Sequence, residues 1–455
     1  MLSGKNKHYL LLSIVLVLCV ILGWYGYFLS ALLLIVAVYT INELIGSDHI
    51  RYNPSKDYEY HFSNARHFET AYKKNKITLP PEVVDNNHTL LLEVDCKASL
   101  LGHMFDPYIE MEGTNKRSRQ YLERGCGGKR YLNISHIKPS ESGTINIHPK
   151  FCRLKDENCR IIAFENPHIA NKRTLIVAPH ADDAEIAAFG VYSSNPESMI
   201  VTITAGESEP GSALRKLTES HHESVVLKGK LRSWDSIAIP LWAGLQPNQV
   251  INLGYSDNSL EDMHLNPSKT LPADNRAEFR QFNSIRLETD RHDDASWQTL
   301  IQDLKEIILN YKPEVIITPH STMDAHRDHQ FSTKAIQEVL KNHSTYKPVL
   351  LYYINHLPNT DLWPFGPHGS VIAPPPGTYN IAGIYSSPVS KATQINKACS
   401  LEMMHDLRNP IKFKHRVRQW LQNKLINRPV HPLSHEPYLR KSVRENELFI
   451  REMIE

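Results

Sequence analysis

The first feature of the chain is an uncharged, mostly apolar segment near its amino terminus. It spans residues 9–41, which are 33 residues without a charge, whereas one membrane-spanning helix needs only about 20. The sequence GWYGY at residues 23–27 interrupts it with aromatic residues of the kind found at membrane interfaces. We therefore predict a membrane anchor over residues 1–50, formed by a helical hairpin or, alternatively, by a single tilted span.

Between residues 51 and 170 the pattern changes to short stretches separated by glycine, proline and serine. Several of them alternate apolar and polar residues, at positions 91–95, 108–111, 130–134 and 143–147. Such alternation is typical of half-buried strands. We predict a small antiparallel, sandwich-like β domain, which either binds sugar or serves as a scaffold.

Beyond residue 171 near-continuous apolar runs alternate with helical stretches. The runs cover residues 174–178, 199–204, 249–253, 315–318 and 349–353. Strands of this kind are buried on both faces, so residues 171–360 are predicted to form an α/β domain. Its expected fold is a Rossmann-like, mostly parallel sheet with helices on both faces. The polar residues 256–296 are predicted to be a long insertion over the sheet edge.

Residues 361–455 form a C-terminal extension with two features. Residues 358–377, at its start, contain six prolines and three glycines around Trp363, and we expect either a stiff loop that stacks on a sugar or a plain connector. Residues 408–428 carry seven basic residues and no acidic one. After an expected Asn409 cap and Pro410 start, a helix here places five apolar residues on one face, namely Phe413, Val417, Trp420, Leu421 and Leu425. A basic amphipathic helix indicates membrane-surface binding, and docking on the domain is the alternative.

Composition narrows the class of protein. With 51 Lys and Arg against 49 Asp and Glu the net charge is only +2, so no overall field attracts nucleic acid and we expect no such partner. The six cysteines form no C-x-x-C pair. Four of them lie close together in sequence, Cys96, Cys126, Cys152 and Cys159, and form either two disulfides in an oxidising compartment or buried thiols.

Chemistry is concentrated after two of the predicted strands. Each strand runs directly into Pro-His, in PHADDAE at residues 179–185 and in PHSTMDAHRDH at residues 319–329. Polar side chains at the carboxyl ends of neighbouring parallel strands converge on one crevice. Imidazole and carboxylate are the ligands of catalytic zinc. We therefore predict a metal site to which both clusters contribute.

These motifs resemble those of the PIG-L/LmbE-like zinc-dependent N-deacetylases, which remove acetyl groups from sugars of the N-acetylglucosamine type. The family's (A/P)-H-(P/A)-D-D motif corresponds to residues 179–183, and its H-x-D-H motif corresponds to residues 326–329. The sequence LGYSD at residues 253–257 resembles the family's L-G-x-x-D segment. The resemblance covers about residues 172–355.

The resemblance implies one zinc ion per chain, bound by three side chains: His180, Asp183 and His329. It also implies that Asp182 is the general base, that His326 is the protonated partner of the tetrahedral intermediate, and that Asp328 orients His326. Two further residues of these motifs are expected to have lesser roles, Glu185 close to the metal ligands and His320 in packing or, alternatively, as an extra metal ligand.

One position departs from the family. Relatives can carry a tyrosine two residues before His326, where this chain has Asp324. The departure leaves the metal ligands intact but changes what polarises the substrate carbonyl.

Together these features predict a metal-dependent N-deacetylase, an amidohydrolase that removes acetyl from an amino sugar in a lipid-linked glycan or lipopolysaccharide precursor. The expected partners are that N-acetylated glycan or glycolipid and a membrane lipid surface. Lys5 and Lys7 place the amino terminus in the cytoplasm. A hairpin then leaves the catalytic domain on the cytoplasmic side of a bacterial inner membrane, whereas a single span places it in the periplasm. The alternative functions are an amidase for another N-acyl group and a membrane-tethered carbohydrate-binding protein with a vestigial metal site.

Overall fold

The computed structural model describes residues 4–46, 50–84, 87–155, 158–267, 275–291, 294–343, 345–405, 413–428 and 437–452. The helices are α1 (Gly4–Trp24), α2 (Phe28–Ile41), α3 (Asp183–Ser193), α4 (Ser212–Leu217), α5 (His221–Trp242), α6 (Leu260–Leu265), α7 (Arg276–Arg280), α8 (Trp297–Tyr311), α9 (Arg327–Lys341), α10 (Lys391–Glu402), α11 (Phe413–Ile426) and α12 (Pro437–Ser442). The strands are β1 (Glu59–Phe62), β2 (Arg66–Ala71), β3 (Lys76–Thr78), β4 (His88–Ala98), β5 (Tyr108–Glu112), β6 (Arg117–Tyr121), β7 (Gly127–Asn133), β8 (Thr144–Lys150), β9 (Cys152–Leu154), β10 (Asn158–Glu165), β11 (Thr174–Ala178), β12 (Ser198–Thr204), β13 (Val250–Tyr255), β14 (Val315–Pro319), β15 (Val349–Tyr353), β16 (Thr378–Ile381), β17 (Gly383–Pro388) and β18 (Asn446–Arg451).

The amino-terminal segment folds as a pair of helices, α1 and α2. Gly26, at φ +76°, lies in the turn between them, a backbone conformation that glycine adopts without steric cost. A helical turn, Asn42–Gly46, continues α2. In the described part of the chain no helix combines the length and the apolarity needed to cross a membrane. The two helices and the turn at Gly26 form the predicted helical hairpin. The predicted membrane anchor is not supported.

Apart from β1, which pairs in parallel with β16, the strands before residue 170 pair antiparallel in two sheets, as predicted for this region. One sheet has the order β2-β10-β4-β7 with β9 beside β4, and the other has the order β3-β8-β5-β6. Apolar side chains of both sheets form one core, which includes all four clustered cysteines: Cys96, Cys126, Cys152 and Cys159. Cys96, Cys126 and Cys152 are thiols, and the sulfur atoms of Cys96 and Cys126 are 3.8 Å apart.

A seven-stranded sheet of order β13-β12-β11-β14-β15-β18-β17 forms the centre of the α/β region. Its first five strands pair in parallel, and β18 and β17 add antiparallel at one edge. Leu175 and Val177 of β11 face the core formed with α8 and α9. Ile176 and Ala178 face the core formed with α3 and α5. The predicted mixed α/β architecture is confirmed, because helices cover both faces of the sheet.

The two parts of the molecule meet through a buried polar network. The side-chain amide of Asn133 in β7 donates to Oγ of Ser386 in β17 at 3.0 Å and to the carbonyl of Ile372 at 2.9 Å. The amide of Asn446 in β18 donates to the same two acceptors, at 3.1 Å each. These bonds fix the antiparallel sheets against the edge of the central sheet.

Candidate active site

The two histidine-containing motifs come together because their strands are neighbours. Strands β11 and β14 pair in parallel, with Thr174 opposite Val315. Each strand is followed by a short loop and a helix, α3 or α9. The rings of His180, His326 and His329 consequently lie with centroids 4.8 to 5.4 Å apart. Their nitrogens approach within 4.8 Å of one another. We call these three residues the imidazole cluster.

Asp183 joins the imidazole cluster from the first turn of α3. Its Oδ2 lies 3.2 Å from Nδ1 of His180 and 3.2 Å from Nε2 of His329, and it accepts the backbone N–H of His180 at 2.9 Å. Its Oδ1 accepts a hydrogen bond of 2.7 Å from the side-chain amide of Asn355. The structure thus brings the three predicted zinc ligands, His180, Asp183 and His329, into mutual contact.

Asp182 occupies a strained backbone position between two predicted ligands. Its φ is +111°, outside the regions that L-residues ordinarily adopt, and such strain costs roughly 1–3 kcal/mol and is concentrated at functional sites. Its Oδ1 lies 3.3 Å from Nη2 of Arg232, which also donates to the carbonyl of Ala181 at 2.6 Å. Arg232 of α5 therefore holds the carboxylate of the predicted general base.

Asp328 makes contacts that differ from the expected ones. Its Oδ2 lies 3.3 Å from Nε2 of His180 and accepts the backbone N–H of Asn258 at 2.7 Å. Its Oδ1 accepts the N–H of Leu260 at 3.2 Å. The predicted role of Asp328, orienting His326, is not supported by these contacts. Instead Asp328 joins His180 to the loop that follows β13.

That loop adds Asp257, the aspartate of the LGYSD segment. Its Oδ1 lies 3.0 Å from Nε2 of His180, and its Oδ2 accepts a hydrogen bond from the hydroxyl of Ser208. Burial raises the pKa of Asp257, but the contact with His180 outweighs this effect and leaves the pKa below 3.8. His180 therefore lies between two groups of carboxylates, one toward each ring nitrogen.

Asp324, the position that departs from the family, is fully buried beside His329. Its Oδ2 lies 3.1 Å from Nδ1 of His329 and accepts the backbone N–H groups of Asn355 at 2.9 Å and His356 at 3.1 Å. Its Oδ1 accepts the N–H of His326 at 3.0 Å. The aspartate therefore orients a predicted ligand and links it to the loop after β15.

The loop after β15 contributes two residues that the sequence analysis missed. The ring of His356 lies 4.9 Å from the ring of His329, and Asp183, His329 and His356 form a second group of possible metal ligands. Asn355 holds Asp183. A signal for both was present, because residues 349–353 were predicted as a strand and polar residues directly after a parallel strand belong to the same crevice.

The donor atoms fit a divalent cation. Nδ1 of His326 is buried without a hydrogen-bond partner among the described residues, and the ring nitrogens of His329 lie 3.2 Å from Asp183 and 3.1 Å from Asp324. Burial opposes charge on the imidazoles, yet Asp183 and Asp324 raise the pKa of His329 to about 10, and Asp183, Asp257 and Asp328 raise the pKa of His180 well above 6.5. The carboxylates therefore favour positive charge at this place, and the imidazole and carboxylate donors suit zinc.

His326 differs electrostatically from the other two imidazoles. Burial, together with repulsion from His180 and His329, lowers the pKa of His326 below 6.5. This shift favours the neutral imidazole, whereas the resemblance implies a protonated one.

Other expected participants make contacts with residues outside the group of predicted ligands. Glu185 is buried, accepts a hydrogen bond of 2.9 Å from the hydroxyl of Tyr192, and has a pKa that burial raises to about 7. His320 lies 3.2 Å from Glu452, and it packs as predicted against Tyr352, with ring centroids 5.6 Å apart. Trp363 is buried in a small apolar cluster, so its ring is not available for stacking on a sugar.

The helix that carries Asp183 is held by residues from the C-terminal extension. At Ala188 the backbone leaves the helical conformation, with φ −138° and ψ 16°. The backbone N–H groups of Gly190 and Val191 donate instead to the carboxylate of Glu447 at 2.8 and 3.1 Å. Lys397 pairs with the same carboxylate at 2.7 Å, and both side chains are buried. Strand β18 and helix α10 thus support the site.

Comparison with known proteins identifies this part of the chain. Residues 175–340 match the family model described as PIG-L, GlcNAc-PI de-N-acetylase. These residues therefore form a PIG-L family domain, which confirms the resemblance. The family match supports a deacetylase, an enzyme of the hydrolase class. We found no matching sequence among curated proteins.

Solved structures with similarity to the chain include three proteins of low sequence identity. The A40926 pseudoaglycone deacetylase Dbv21 is 14% identical, with 63% of this chain and 100% of that chain covered and a TM-score of 0.34. The conserved protein TT1542 from Thermus thermophilus is 17% identical, with 62% and 95% covered and a TM-score of 0.31. The N,N'-diacetylchitobiose deacetylase from Pyrococcus horikoshii is 14% identical, with 61% and 82% covered and a TM-score of 0.33.

Proposed function

We propose that this enzyme hydrolyses the N-acetyl group of an amino sugar and uses one zinc ion bound by His180, Asp183 and His329. The observation that carries the proposal is the convergence of these three side chains, buried and in mutual contact, at the ends of two adjacent strands of a PIG-L domain. The family description, GlcNAc-PI de-N-acetylase, supports an N-acetylated amino sugar as the substrate class.

The surrounding residues have separable roles in this reaction. Bound zinc supplies a Lewis acid that polarises the acyl carbonyl and acidifies a water molecule. Asp182, held by Arg232, takes a proton from the attacking water. His326, which is only partly buried, donates a hydrogen bond to the carbonyl oxygen as negative charge develops there. Asp182 then passes the proton taken from water to the sugar nitrogen, and the C–N bond breaks to release acetate and the free amine. Asp324, Asp328 and Asn355 hold the ligands in place.

We place the substrate on a lipid carrier, as a lipid-linked glycan or lipopolysaccharide precursor at the cytoplasmic side of a bacterial inner membrane. Support comes from the hairpin of α1 and α2, which exposes large apolar side chains such as Leu16, Trp24, Phe28 and Leu33. Exposed apolar surface of this extent marks an interaction site, lipid being one class of partner.

The experiment is an acetate-release assay on purified enzyme with N-acetylglucosamine-containing glycans. We expect release of acetate together with a free amine, loss of activity with a chelator, and recovery with zinc. In the Asp182→Asn variant, turnover falls about 10²- to 10⁴-fold, while zinc content, measured by elemental analysis, stays at one ion per chain.

Asp262→Asn, at an exposed position of α6, is the matched control and keeps full activity. Undiminished turnover in Asp182→Asn would reject that residue as the base. Release of a longer acyl group without acetate would instead identify an amidase for another N-acyl substrate. Glycan binding without any hydrolysis would favour the carbohydrate-binding alternative.

A further inference from the structure

Helix α11 docks on the rest of the molecule through its polar side. Nε of Arg418 lies 2.5 Å from Oε2 of the buried Glu43, and the side-chain amide of Gln422 donates to the carbonyl of Glu43 at 3.1 Å. Gln422 and Ile426 are the buried residues of this helix. The expected start of the helix, at Asn409 and Pro410, lies outside the described residues.

Three of the five residues on the predicted apolar face are exposed, and the other two, Val417 and Leu421, are half-buried. Phe413 is 82% exposed, Trp420 is 61% exposed and Leu425 is 52% exposed. A helix that serves only as part of the fold buries its apolar face. The docking that the alternative expects is therefore present, but it leaves Phe413, Trp420 and Leu425 uncovered.

Positive charge lies beside these apolar side chains. Arg416 and Lys424 are exposed on the same helix, and residues 408–428 contain no acidic residue. We call the five exposed residues Phe413, Arg416, Trp420, Lys424 and Leu425 the Trp420 surface. Aromatic and aliphatic side chains bordered by basic residues match the interface of an anionic bilayer.

The Trp420 surface is fixed next to the exposed hairpin. Glu43, on which α11 docks, belongs to the helical turn that continues α2. Asp106 pairs with Arg428, just beyond α11, at 2.9 Å and with Arg124 at 2.8 Å. Arg124 also donates to the carbonyl of Leu44 at 2.5 Å. These bonds connect α11, the end of the hairpin and the β region, and they fix the position of the Trp420 surface.

We propose that the Trp420 surface binds the surface of a membrane rich in anionic phospholipids. The polar side of α11 fixes the helix to the protein, the apolar side chains enter the region between head groups and acyl chains, and Arg416 and Lys424 contact lipid phosphates. This proposal concerns binding alone and does not depend on the proposed reaction.

Vesicle co-sedimentation of the full chain tests the charge component. Vesicles of phosphatidylcholine alone are compared with vesicles that also contain phosphatidylglycerol. We expect tighter binding to the anionic vesicles. The double variant Arg416→Gln, Lys424→Gln should lower the partition coefficient for anionic vesicles about 30-fold, since each basic residue near the surface contributes about 1 kcal/mol. Its binding to neutral vesicles should not change.

Two further variants complete the test. The matched control, Lys97→Gln with Lys305→Gln, removes two exposed basic residues elsewhere and should leave both partition coefficients within about twofold. Phe413→Ser with Trp420→Ser should weaken binding to both kinds of vesicle and leave acetate release from a soluble substrate unchanged.

Three outcomes would overturn the proposal. The first is equal binding of the wild-type chain to neutral and anionic vesicles, and the second is unchanged binding in the variant of Arg416 and Lys424. The third is the absence of vesicle binding combined with self-association that Trp420→Ser abolishes, which would assign the surface to a second copy of the chain. An enzyme that binds anionic vesicles but releases no acetate would reject the proposed function only.

Discussion

The molecule contains two clusters of buried carboxylates, one around Asp303 and one in the active site. They differ in how the hydrogen-bonding capacity of their polar atoms is satisfied. In the first, the Asp303 cluster, Oδ2 of Asp303 accepts hydrogen bonds from Arg276 at 2.9 Å, from Arg280 at 2.5 Å and from the hydroxyl of Tyr255 at 2.7 Å. Its Oδ1 accepts from Thr289. Two permanent cations thus surround one carboxylate, and both of its oxygens are used.

The active site has the opposite balance. Four carboxylates, Asp183, Asp257, Asp324 and Asp328, surround imidazoles whose charge depends on protonation. Nδ1 of His326 is buried without a hydrogen-bond partner in the part of the chain that the structure describes. A protein cannot leave such an atom unsatisfied without a cost of about 1–3 kcal/mol. The first cluster is therefore complete as a structural element, and the second is built to receive a cation.

The largest effect that tests this comparison is on stability. Asp303→Asn removes the charge that balances Arg276 and Arg280, and the loss of one partner of a buried ion pair costs about 3–5 kcal/mol. Urea denaturation should show this decrease in the free energy of unfolding. The exposed control Asp262→Asn should change it by less than about 0.5 kcal/mol.

The zinc affinity of the same variant tests whether the two clusters are independent. Asp303→Asn should keep the zinc affinity of the wild-type chain, because Asp303 contacts none of the candidate ligands in the described structure. A decrease in zinc affinity in this variant would show that the two clusters are not independent.

A smaller effect is expected at Asp324, which belongs to the active site. Asp324→Asn replaces the carboxylate beside Nδ1 of His329 with a weaker acceptor. Removal of such an orienting partner typically lowers metal affinity about 10- to 100-fold. Competition with a chromophoric zinc chelator measures the change. Unaltered affinity would mean that Asp324 only fixes the surrounding backbone, through the N–H groups of His326, Asn355 and His356.

The central sheet could be predicted from the sequence because its strands are buried on both faces. Strands β11 (Thr174–Ala178) and β15 (Val349–Tyr353) have the predicted bounds. The neighbouring edge could not be predicted in this way. Strands β17 and β18 contain the buried polar residues Ser386, Asn446 and Glu447, and these are tolerated only because distant residues hydrogen-bond them.

The predicted ligand residues of the active site converge, whereas the roles within it depend on contacts that spacing does not reveal. His180, Asp183 and His329 could be named from two motifs and a family resemblance. The family resemblance implies that Asp328 orients His326, but the first turn of α9 directs its carboxylate toward His180 and the loop after β13. Adjacent positions on a helix face different directions.

A third cluster surrounds Asp106. It is paired like the Asp303 cluster but is partly exposed to solvent, and its substitution should have the smallest effect on the free energy of unfolding. Like Asp303, Asp106 pairs with two arginines, Arg124 and Arg428, but 22% of its side chain is exposed. Burial raises its pKa, and the two guanidinium groups outweigh burial and lower the pKa from 3.8 to about 2. Solvent screening limits the contribution to about 1–2 kcal/mol.

The sign of the pH dependence follows from the lowered pKa. The carboxylate is charged in both the folded and the unfolded chain above about pH 4, so the stabilisation from Asp106 is complete there. It is lost as the pH falls from about 4 to 2, because the unfolded chain takes up the proton first. The free energies of unfolding of wild type and Asp106→Asn, measured in urea at about pH 6, 4 and 3, should therefore converge with decreasing pH. A difference that stays constant over this range would show that the charge of the Asp106 carboxylate contributes nothing and that the residue acts through its shape and hydrogen bonding alone.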